Sequence, residues 1–223
     1  MVGRGGRQRI PRPPTIRPGR PSPWAHVPAD RRSLGLDAVR ERLADLPPPS
    51  PPDIAVPGSR DAAVLLPLFE EAGEARLILT KRPDTMPSHR GEIAFPGGKL
   101  DVGDVTLEAA ALRETYEEIG IDPADIEVVG ELDALGTVGS RFTITPFVGL
   151  LEGRPELHPD PVEVARVFDV PLSALLADGV HSEEEWEVGL PDFTIQFFEL
   201  DDETVWGATA RILTRFLAHL VAD

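Results

Sequence analysis

The chain of 223 residues contains no cysteine. That excludes a disulfide framework and any cysteine-bound zinc centre. No run of 18 apolar residues exists, and the start shows no apolar signal-peptide core, so no membrane is expected as a partner. Basic residues are in deficit: 22 Lys and Arg stand against 38 Asp and Glu, a formal net charge of −16. Such an acid surplus argues against general nucleic-acid binding through phosphate neutralisation. It does not exclude a small anionic substrate, because a local metal site can override the global sign. No repeat is visible, and the five histidines show no paired metal-ligand spacing, four of them reading as surface residues. The expectation is a cytoplasmic protein with one main domain, with a homodimer left open.

Charge is unevenly spread. Residues 1–50 hold ten arginines against four acidic residues, so the rest of the chain is more acidic than the total suggests. This stretch is also crowded with proline and poor in apolar residues, so residues 1–32 read as a disordered Arg/Pro-rich tail. Leu34, Leu36, Val39, Leu43 and Leu46 recur at mostly helical spacing until Pro47, which predicts a short docked helix within Ser33–Leu46. The Pro-rich run to Pro57 reads as a stiff linker, so residues 33–57 join the tail to a domain at 58–223.

Within that domain, Ala62–Phe69 and Ala75–Lys81 are apolar, strand-like runs around a turn containing Gly73, a hairpin pattern. Glu92–Phe95, Ile126–Leu135, Thr143–Leu151, Val164–Asp169 and Thr194–Leu200 read as further extended segments. Helices are expected over Thr106–Ile119, Pro171–Ala177 and Ala208–Leu220. The irregular interleaving predicts an α/β class fold, a mixed sheet sandwiched between helices.

The most informative stretch is Gly97–Ile121, GGKLDVGDVTLEAAALRETYEEIGI. Wound at about 100° per residue, its helix places Glu114 and Glu118 about 40° apart, with Glu117 about 60° to the other side of Glu114. Arg113 lies one turn before Glu117, placed to pair with it. Three carboxylates on one face repel one another unless a cation sits among them. Oxygen ligands with open positions suit Mg²⁺ or Mn²⁺. Taken alone, the same pattern also fits a solvated acidic helix face. Gly98-Lys99-Leu100 is not a phosphate-binding P-loop, since Leu100 stands where Ser or Thr is needed.

This stretch resembles the signature of the Nudix hydrolase family, G-x5-E-x7-R-E-U-x-E-E-x-G-U with U a bulky apolar residue. Gly98, Arg113, Glu114, Glu117, Glu118, Gly120 and Ile121 match it. Asp104 stands at the first glutamate, the spacer to Arg113 is one residue longer, and Thr115 replaces an aliphatic residue. Ile78-Leu79-Thr80-Lys81-Arg82 and Gly91–Gly98 further resemble the coenzyme A diphosphatase branch, whose signature runs L-L-T-x-R, a later Arg, then G-x3-F-P-G-G. Pro161–Val164, Val170–Ser173 and Val205–Leu213 also resemble this branch, so the likeness covers about residues 60–220. Where the branch has its later Arg, this chain has Pro87.

The resemblance implies the Nudix fold and metal-dependent hydrolysis of coenzyme A, or a derivative, to 3′,5′-ADP and 4′-phosphopantetheine. It implies Glu114, Glu117, Glu118 and the Gly98 carbonyl as ligands of Mg²⁺ or Mn²⁺. Glu163, or alternatively Glu117, is the expected general base, and Arg82, His89 and Arg90 are the expected substrate-binding cations. Two alternatives stay open. One is a diphosphatase for ADP-ribose, a nucleotide sugar or a dinucleotide; the other is a catalytically silent nucleotide-binding module.

Overall fold

The computed structural model describes residues 5–86, 88–137, 139–187 and 193–222. Twelve strands run in chain order as β1 (Ile16–Pro18), β2 (Arg60–Glu71), β3 (Glu74–Lys81), β4 (Ile93–Ala94), β5 (Gly97–Lys99), β6 (Glu127–Glu131), β7 (Leu135–Thr137), β8 (Phe142–Leu150), β9 (Arg166–Pro171), β10 (His181–Trp186), β11 (Phe193–Glu199) and β12 (Thr204–Trp206). Four helices join them: α1 (Leu36–Ala44), α2 (Leu107–Ile119), α3 (Leu172–Leu175) and α4 (Gly207–Leu220).

The main sheet is mixed, with the order β4-β3-β2-β8-β6. β2 runs parallel to β8 and antiparallel to β3, while β9 extends the sheet beside β3. The near-continuous apolar run of β2 follows from burial on both faces. Leu66 and Leu68 enter a core shared with α1 and α4, and Ala63, Leu65 and Phe69 enter a second core closed by α2. The helix–sheet–helix sandwich expected from the sequence is therefore present. The hairpin turn between β2 and β3 falls at Ala72-Gly73, both with positive φ, as a tight two-residue connection requires.

A second, antiparallel sheet was not anticipated. It runs β1-β10-β11-β12 and packs with α4. Its first strand comes from the segment read as a disordered tail, where the Gly5 and Gly19 amides also donate to the Leu200 and Glu183 carbonyls and Arg32 donates to the Leu176 carbonyl. Trp24 is 1% exposed and stacks near Phe198 and His181. Charge pairing supplies a further reason: Arg12 meets Glu184, and Arg17 meets Glu185 and Glu187. His181, expected at the surface, is buried beneath Trp24 and accepts or donates a hydrogen bond with Ser22. The proline-rich linker also has anchors, since Asp53 pairs with Arg211 and Arg215 on α4.

Candidate active site

The site is built on α2. Thr106 caps its amino end by accepting from the Ala109 amide at 3.0 Å, and Gly120 ends it in the left-handed conformation. Ala110, Ala111, Thr115 and Ile119 are buried against the sheet. Thr115 fits this apolar face because its hydroxyl donates to the Ala111 carbonyl at 2.7 Å and is satisfied within the helix. Glu118 is buried with them, at 4% exposure.

Gly97 and Gly98 bring β5 against the helix. Gly97 has φ +152°, and a Cβ there would lie 2.4 Å from the Ala63 carbonyl of β2. A Cβ on Gly98 would lie 2.3 Å from the Glu114 carboxylate. The backbone approach at Gly97 needs glycine, while a side chain at Gly98 would displace the Glu114 carboxylate. The result is a backbone cradle beside Glu114, with the Gly97 amide donating to Glu118 at 3.3 Å.

Asp104 takes up the place of the missing glutamate. Arg113 donates to both of its oxygens at 3.0 Å, a two-pronged pair that spans the lengthened spacer. The same guanidinium reaches Glu114 at 3.0 Å and Glu117 at 2.8 Å. Arg113 holds the Asp104 carboxyl below the usual range, and Asp104 in turn raises Arg113. Glu117 is thus oriented by Arg113, with its side chain 56% exposed.

The loop after β8 folds back on the end of α2. The His158 and Asp160 amides donate to the Ile119 and Glu118 carbonyls at 2.9 and 3.0 Å. That docking carries exposed Glu163 close enough for its charge to be felt at Glu114 and Glu118. Burial is the main force raising Glu118, to about 8. The Gly97 amide and Arg82 oppose that rise, while Glu114 and Glu163 add to it. Burial raises Glu114 too, against the pull of Arg113.

Of the three expected substrate cations, Arg82 is the one whose charge is felt at Glu118. Its Nε is buried and makes no hydrogen bond among the described residues. His89 turns to Glu92 at 2.8 Å, a bond that raises its pKa. Arg90 donates to the Met86 carbonyl at 2.7 Å and stays exposed. Pro87 lies outside the described residues. A cavity of about 750 Å³ between α1 and the end of β8, lined in part by Leu36, Arg40 and Arg154, shares no residue with this site.

The NUDIX domain family matches residues 59–189. The chain belongs to the Nudix family. It is 39% identical over 178 residues to an uncharacterized Nudix hydrolase, NudL, of Photorhabdus laumondii, covering 79% of this chain and 92% of that one. It is also 38% identical over 163 residues to the chloroplastic Nudix hydrolase 22 of Arabidopsis thaliana, covering 70% of this chain and 54% of that protein. Among solved structures, a MutT/nudix family protein from Enterococcus faecalis matches with a TM-score of 0.49 and 18% identity, over 84% of this chain and 69% of that one. The protein is therefore a Nudix hydrolase, an enzyme acting on the phosphoric anhydride of nucleoside diphosphate-linked compounds.

Nudix hydrolases generally use divalent metal ions, and the residues here fit one. Buried Glu118 has a single long hydrogen bond, Glu114 is half-buried beside it, and the Gly98 backbone abuts Glu114. Among the described residues no three acidic or histidine side chains close into a complete cage. An open array of oxygens is the donor set for a hard cation that keeps water and meets substrate phosphates.

Proposed function

We propose that this chain hydrolyses the diphosphate linkage of coenzyme A or a derivative, giving 3′,5′-ADP and 4′-phosphopantetheine. The observation that carries the reading is Arg82. It lies in the segment resembling the coenzyme A branch, its charge is felt at Glu118, and its Nε is buried without a hydrogen bond among the described residues. A substrate bearing several phosphates needs such a donor. His89 and Arg90, seven and eight residues on, provide further cationic positions on the same loop.

Glu114, Glu118, Glu117 and the Gly98 carbonyl would hold Mg²⁺ or Mn²⁺, which when bound neutralises the diphosphate and activates water. Arg113 fixes the orientation of Glu117, and Asp104 fixes Arg113. Glu163, exposed at the mouth of the carboxylate array, takes the proton of the attacking water as general base. Glu117 is the alternative base. The phosphorus–oxygen bond of the bridging oxygen breaks as the water oxygen joins phosphorus.

A second reading, hydrolysis of ADP-ribose, a nucleotide sugar or a dinucleotide, is favoured by Pro87 standing where the branch has an arginine. A silent nucleotide-binding module is disfavoured by the intact Glu114, Glu117 and Glu118. The test offers coenzyme A, ADP-ribose and a dinucleoside polyphosphate to purified protein with Mg²⁺ or Mn²⁺, with Glu118→Gln as control. Release of 3′,5′-ADP, lost in the control, is expected. Preference for ADP-ribose would select the second reading, and binding without turnover the third.

A further inference from the structure

A second buried glutamate lies on the opposite face of the main sheet. Glu203, in the turn between β11 and β12, is 2% exposed. Lys81 Nζ reaches its two oxygens at 2.7 and 3.0 Å, Arg166 Nη1 approaches at 3.4 Å, and Gln8 Nε2 donates at 3.1 Å. Lys81 and Arg166 are direct cross-strand partners of β3 and β9. Two cations placed opposite each other on one face of a sheet repel. The Glu203 carboxylate between them converts that repulsion into a clamp.

What the clamp holds is the handover from strands to site. Arg82 directly follows Lys81, the last residue of β3, and the Arg82 amide donates to the Glu92 carbonyl at 3.0 Å, so anchoring Lys81 fixes the backbone from which Arg82 projects. The charge of Arg82 is felt at Glu118, and its Nε is buried without a hydrogen bond among the described residues. The Ala165 amide donates to the Lys81 carbonyl at 2.8 Å, tying the Glu163 loop to the same point. Resting on the function read above, we propose that Glu203 is a positioning residue for substrate binding. It acts through Lys81 and Arg166 to fix Arg82, and with it the Glu163 loop, against the carboxylate array. Gln8 links the amino-terminal segment to the same carboxylate.

A double-mutant cycle tests this. Glu203→Gln, which keeps the shape and removes the charge, is measured alone and combined with Arg82→Ala, on whichever diphosphate the wild type hydrolyses. The single variant is expected to lower kcat/KM roughly tenfold, mainly through KM, and at most about twofold once Arg82 is absent. Equal losses in both backgrounds, or a loss of folded protein with KM unchanged, would overturn it. Should Glu203→Gln fail to fold, Lys81→Met removes the same contact from its more exposed partner and enters the same cycle with the same expectations. If the wild type hydrolyses none of the three substrates, the function reading fails. Affinity for coenzyme A then replaces KM in the cycle, so the two failures are told apart.

Discussion

Glu118 and Glu203 are both glutamates with less than 5% exposure, on opposite faces of one sheet. Glu203 is met by a lysine and an amide, with an arginine nearby. Among the described residues Glu118 has one long bond from a backbone amide, and it feels the charge of Arg82 and of two further carboxylates without a side-chain hydrogen bond. A buried charge with its counterions in place holds segments together. A buried carboxylate with no cation bonded to it is open to one from outside the chain. Location alone does not separate the two; the company each keeps does.

The sharpest way to break this comparison is to neutralise Glu118. Glu118→Gln should lower kcat by roughly 10²–10³-fold, the scale of losing a main electrostatic group. The metal-free melting temperature should change little, because burial already penalises the Glu118 charge and its side chain makes no ion pair within 4 Å among the described residues. A fall of many degrees would make Glu118 a second structural clamp. Next in size, Glu163→Gln should cost about 10²-fold in kcat if Glu163 is the base. Glu117→Gln measured in parallel decides between them, and the larger loss identifies the base.

Glu203→Ala should also act on stability, by about 1.5–3 kcal/mol, because Lys81 and Gln8 lose their carboxylate while Arg166 keeps Asp202. Urea denaturation measures this, and a change under about 1 kcal/mol would contradict the clamp. Trp24→Ala should cost about 3 kcal/mol if the amino-terminal segment is docked as described, and nothing if that segment is free. The smallest effect concerns His181, which burial lowers from the ordinary imidazole value of 6.5. A lowered histidine leaves stability complete above that value and erodes it as pH falls further, because only the unfolded chain then takes the proton. His181→Phe should flatten the melting temperature between pH 7 and 5.

Much of α2 was legible because its information is local. The helix and its carboxylate spacing lie within one short window, and the turn around Gly73 within another, although Thr106, read as helical, is the cap. The second sheet was not, because its strands are defined by distant partners. β10, HSEEEW, reads as a solvated acidic run until Arg12 and Arg17 are laid against it. The signal was present in the charge imbalance between the arginine-rich start and the acidic remainder, which marks two segments suited to meet. Glu203 was hidden likewise, since its donors come from residues 8, 81 and 166. Asp104 read as a departure from the signature, and its geometry with Arg113 shows a shorter carboxylate serving the longer spacer.

The pairing of Ile16 with Trp186 has a consequence for how the chain reaches this state. β1 is synthesised early, yet its strand partner β10 arrives some 170 residues later. Closing so long a loop carries a large entropic cost, and such non-local pairings form slowly. The β2–β3 hairpin, with its near contacts, can assemble long before. The arginine-rich segment should therefore stay open to proteases through most of folding and become protected last, when β10 and β11 have formed a surface for Trp24 to cover.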